Sequence, residues 1–97
     1  MVLSDLVTAE IHARFTPTSA AKVAAELARS AIPSLPEPGR WRDRILLGIL
    51  VVAEGKLGAF RRALRLAETD WRDLLLAATL HTQDWAVVSA RAGFRDP

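Results

Sequence analysis

Cysteine and tyrosine are absent from this 97-residue chain, lysine occurs only at Lys22 and Lys56, and no apolar run is longer than the nine residues Ile45–Ala53. Without cysteine, disulfides and thiolate metal sites are excluded, and no redox compartment can be read from the chain. The run at 45–53 is about half of the roughly 20 residues needed to cross a bilayer, so no membrane span is expected. With no Cys or Tyr and so few Lys, hardly any side chain titrates between neutral pH and about pH 10. The pI of 9.9 therefore reflects a small arginine excess behind a net charge of +2, and not a strongly basic surface. The charge is mildly uneven. Residues 1–39 carry Arg14, Lys22 and Arg29 against Asp5, Glu10, Glu26 and Glu37, a net of −1, so residues 40–97 hold a net of +3. That asymmetry falls short of a nucleic-acid-binding tail. Asp5 and Glu10 interrupt the N-terminal stretch and no basic residue precedes Arg14, so a secretory signal is not expected and a soluble cytoplasmic protein is the simplest expectation.

The apolar fraction of 51% argues against disorder. Alanine is frequent and β-branched residues are few outside 45–53, which favours helix over strand. The length suits a single core. The chain therefore predicts one all-α domain over 1–97: an N-terminal helical pair (1–31), a connector (32–39) and a helical core (40–97).

Periodicity places the elements. Ser4 is a candidate N-cap, and Leu3, Val7, Ile11 and Phe15 form one stripe of a first helix over 4–15. Pro17 ends that helix by disfavouring helical geometry at Thr16. A second helix capped by Thr18 or Ser19 runs to about Ala31, with Ala20, Val23, Ala24, Leu27 and Ala31 inward. Three prolines and a glycine between Ile32 and Gly39 make an extended connector. The third helix runs from Arg40–Trp41 to Glu54, and its 45–53 run is apolar on every face, so that run must be covered on every face. Gly55 is its expected left-handed terminator. A fourth helix over 56–68 turns Leu57, Phe60, Leu64 and Ala67 to one side and Arg61, Arg62, Arg65 and Glu68 to the other. The short connection predicts a central antiparallel hairpin. Asp70 caps a largely buried fifth helix whose inward face is Trp71, Leu74, Leu75 and Ala78, and Asp84–Trp85 repeats that Asp-Trp opening for a last helix over 84–92. The two openings diverge beyond the first turn, so shared capping chemistry explains them better than duplication. The architecture expected is a small orthogonal or antiparallel bundle of five to six short helices.

Candidate chemistry is sparse. Gly55-Lys56-Leu57-Gly58 has the Gly-x-x-Gly form with which KH domains clamp single-stranded nucleic acid, but that fold requires strands that this chain does not show, and a glycine-terminated helical hairpin accounts for the pattern. Arg61, Arg62, Arg65 and Arg72 are a candidate phosphate-binding surface on the helices at 56–80. Glu68 lies within helical reach of Arg65 and Arg72, so a self-neutralised solvated face is the stronger reading. Asp73 and His81 are the remaining candidates for acid–base chemistry, yet Asp70 and Asp73 stand where helix caps stand and His81 stands in a joint. His81 and Asp84 are too few ligands for a metal, and no metal or cofactor is expected. His12 reads as a boundary residue beside the first apolar stripe. Trp41, Trp71 and Trp85 read as core anchors or as interface residues.

Arg44-Ile45-Leu46-Leu47, Ala53-Glu54-Gly55-Lys56-Leu57 and Ala67-Glu68-Thr69-Asp70-Trp71-Arg72-Asp73-Leu74-Leu75 together resemble a loose group of small bacterial helical proteins. Its pattern is an apolar helix, a Gly-[Asp/Lys]-Leu turn and an Asp-[Trp/Tyr]-Arg-Asp-[Leu/Val]-Leu segment. The resemblance covers about 40 residues and implies a helical fold and no activity. Lys56, where the pattern often has Asp, removes a cap for the fourth helix. The functional expectation is a non-enzymatic cytoplasmic protein working through protein–protein contacts. Because the Ala-rich second helix covers poorly, a homodimer is expected to bury what the chain leaves exposed of its third helix. A nucleic-acid-binding regulator using the arginine surface and an enzyme using Asp73 and His81 are the alternatives.

Overall fold

A computed structural model describes residues 3–30 and 40–92, apart from the side chains of residues 40–42, 82, 89, 91 and 92. The connector expected at 32–39, the Trp41 side chain and the tail around Phe94 lie outside the described residues. The described residues are all-helical: α1 (Asp5–Arg14), α2 (Pro17–Ala28), α3 (Arg40–Ala53), α4 (Leu57–Thr69), α5 (Trp71–Leu80) and α6 (Thr82–Ala92).

Local chemistry starts and stops these helices. The Ser4 side chain accepts from the Val7 amide at 3.3 Å, and Asp5 follows in the first turn. Helix α1 ends at Phe15 in extended geometry, and α2 begins at once. The cap of α2 is Thr16, which accepts from the Ser19 amide at 3.4 Å, and not Thr18 or Ser19. Pro17 is the reason. A proline at the first helical position loses no hydrogen bond, so one residue both ends α1 and opens α2. Helix α2 stops at Ala28, short of Ala31, and Ser30 Oγ donates to the Leu27 carbonyl at 2.7 Å just beyond it. Asp70 accepts from the amides of Arg72 and Asp73 to open α5 as expected. Asp84 does not repeat that role. Helix α6 starts two residues earlier, at Thr82, so the joint between α5 and α6 is His81 alone and Asp84 lies inside the first turn. Lys56 stands at the N-cap of α4 without a side-chain cap.

Helix α3 is the centre. Ile45, Leu46, Leu47, Ile49, Leu50, Val51 and Ala53 are all buried, with at most 1% exposure. Helices α4 and α5 make the broadest contacts with it, and α1 and α6 complete the enclosure. Helix α2 sits on α1 and α4 and buries Val23 and Leu27 completely. The described helices thus cover the 45–53 run, with Val52 half-buried, which removes the surplus apolar face expected on that run. Gly48 lets α5 approach closely: a Cβ there would stand 3.0 Å from Leu74 Cδ1 and 3.5 Å from Ala78 Cβ. Phe15 meets Phe60 edge to face, with centroids 6.2 Å apart and planes at 79°, and joins the end of α1 to α4. Trp85 is core, Trp71 is half-buried against it, and α5 is less buried than expected. Its outer side leaves Leu76 63% and Leu80 77% exposed.

The α3–α4 turn uses two successive left-handed residues, Glu54 (φ 51°) and Gly55 (φ 74°), where one was expected. Gly55 is required twice over. Its φ disfavours a side chain, and a Cβ would lie 2.8 Å from the Arg14 backbone carbonyl oxygen. Gly55→Ala is expected to lower stability by more than about 2 kcal/mol, since backbone strain and a clash with main chain add. A urea-unfolding midpoint indistinguishable from wild type would contradict this close approach.

Candidate functional site

Among the described residues, polar groupings at the end of α1 and on α4, and exposed apolar side chains on α5 and α6, are candidates for function. The first grouping gathers at the end of α1. Arg14 Nε donates to Glu10 Oε2 at 2.9 Å, one turn back, while Nη1 and Nη2 donate to the two Asp84 carboxylate oxygens at 3.0 and 2.9 Å. Glu10 is only 3% exposed, and a carboxylate so buried needs such partners. The bidentate bond from Arg14 holds the Asp84 carboxyl below the usual carboxylate range, and Asp84 in turn raises Arg14. Next to it, His81 Nδ1 lies 3.3 Å from Glu54 Oε1, linking the α5–α6 joint to the left-handed turn after α3. This assembly was not read from the sequence: Arg14 and Asp84 are 70 residues apart, and nothing local marks them as partners. The one available signal was Glu10 beside the Val7 and Ile11 stripe, a charge too close to the core face to stay unpaired.

The acid–base pair suggested by Asp73 and His81 does not form. Asp73 is exposed in the first turn of α5 and His81 follows its last turn, a separation of about 12 Å along the axis. Among the described residues no group of three or more His, Cys, Asp or Glu side chains could hold a metal ion. His12 is exposed on α1.

The arginine surface is assembled only in part. Arg61, Arg62 and Arg65 lie exposed on the outer side of α4, and Arg72 lies exposed in the first turn of α5 with its guanidinium 5.2 Å from the Trp71 ring centroid. Arg61 is engaged from another helix: its Nε and Nη2 donate to Glu26 of α2 at 3.1 and 3.3 Å. Glu26, Arg61, Leu64, Arg65 and Glu68 line a shallow depression of about 200 Å³, in which two carboxylates offset two guanidiniums. A phosphate meets a mixed rim there and not a cationic one. The Gly55–Gly58 segment is the end of one helix and the start of the next, and no strand occurs among the described residues.

The exposed large apolar side chains of the described residues lie on the last two helices. Leu76, Leu80 and Val87 are 63, 77 and 54% exposed. Each stands about two residues from a buried position of its own helix (Leu74, Ala78 and Trp85), which at 100° per residue puts it on the side away from the core. Within the core, the Trp85 indole N–H is buried without a hydrogen-bond partner, and the Arg44 guanidinium lies 5.9 Å from that ring's centroid.

Two measurements check the Arg14 assembly. Arg14→Met is expected to destabilise by about 3 kcal/mol, because it removes a bond to a carboxylate inside the protein. Asp84→Asn is expected to cost only about 1 kcal/mol, since that side chain is 46% exposed. The sign with pH follows from the lowered folded pKa of Asp84: its contribution is complete above the unfolded value of about 4 and is lost as pH falls through the folded one. Wild type and Asp84→Asn should therefore differ in urea midpoint at neutral pH and converge in acid, and a gap that widens in acid would refute the assignment. Comparison of the chain with protein-family models, with curated proteins and with solved structures finds no match.

Proposed function

We propose that this is a small non-enzymatic cytoplasmic protein that acts through protein–protein contacts, self-association among them. The observation that carries the reading is the exposure of Leu76, Leu80 and Val87 on α5 and α6, when the central helix is already enclosed. Large apolar side chains held in solvent mark contact surfaces more often than they mark reaction centres. The polar groups point the same way. Arg14, Glu10 and Asp84 hold one another, Arg61 holds Glu26, and His81 faces Glu54, so these groups fasten helices together. The cytoplasmic part of the reading rests on the sequence alone, as does the resemblance to the small bacterial helical proteins.

The nucleic-acid reading retains Arg62, Arg65 and Arg72 but has Arg61 engaged by a carboxylate, and one test separates it from the contact reading. Fluorescence polarisation of a labelled single-stranded or duplex oligonucleotide at low salt is expected to stay flat as protein is added. Binding that weakens with salt and is lost in Arg62→Glu/Arg65→Glu would replace protein contact with nucleic-acid contact as the function.

A further inference from the structure

We draw no further inference here: the strongest candidate, the exposed side chains of Leu76, Leu80 and Val87 on α5 and α6, carries nothing further, because nothing in the structure shows what covers them.

Discussion

A helix with no polar side, in a chain of 97 residues, constrains everything else in this fold. Each fully buried Leu or Ile of α3 contributes roughly 1.5–3 kcal/mol only if water is kept from it on every side. Four helices are therefore recruited around one. Helices α4 and α5 take the broad contacts, α1 and α6 close the remainder, and α2, which does not reach α3 extensively, seals α1 against α4. Gly48 belongs to the same constraint: without a Cβ on that turn of α3, Leu74 and Ala78 bring α5 to close range.

Burial has no direction, so the angles at which these helices sit must come from elsewhere. They come from polar ties at helix ends. Arg14 fastens the end of α1 to the first turn of α6, and its backbone carbonyl lies where only a glycine can stand, at the turn leaving α3. Glu54, held at positive φ by that turn, faces the single residue that joins α5 to α6. Three chain reversals or termini thus meet in one neighbourhood. The most deeply buried carboxylate of the described residues, Glu10, is there because Arg14 is there.

The parts of the fold that were legible in the sequence are those governed by local rules. The α1 stripe, the Asp70 cap, the two sides of α4 and the apolar centre at 45–53 follow from side-chain spacing and capping chemistry, which act over a few residues. Thr16–Pro17 was half legible: proline read as a terminator is also a starter, and only the two-residue spacing between α1 and α2 shows that it is both. The Asp84–Trp85 pair misled because it copies Asp70–Trp71 in letters. Asp84 is positioned by an arginine 70 residues away, and a long-range ion pair leaves no periodic trace. The sufficiency of the cover on α3 was misjudged for a related reason. Counting alanines on α2 undervalued Val23 and Leu27 and could not foresee that α1 and α6 would supply the missing sides.

The outward apolar residues are not all equally informative. Leucine is a strong helix former, so Leu76 and Leu80 have a local reason to occupy exposed positions of a ten-residue helix even if nothing ever touches them. Valine has no such reason. Its branched Cβ loses rotamer freedom in a helix, and at Val87, 54% exposed, neither the core nor helix propensity accounts for it. An alanine there would serve α6 better, as it does at 86 and 90 on either side. Val87 is therefore the residue whose presence most needs an explanation outside the fold, and apolar contact on the far side of α6 supplies one.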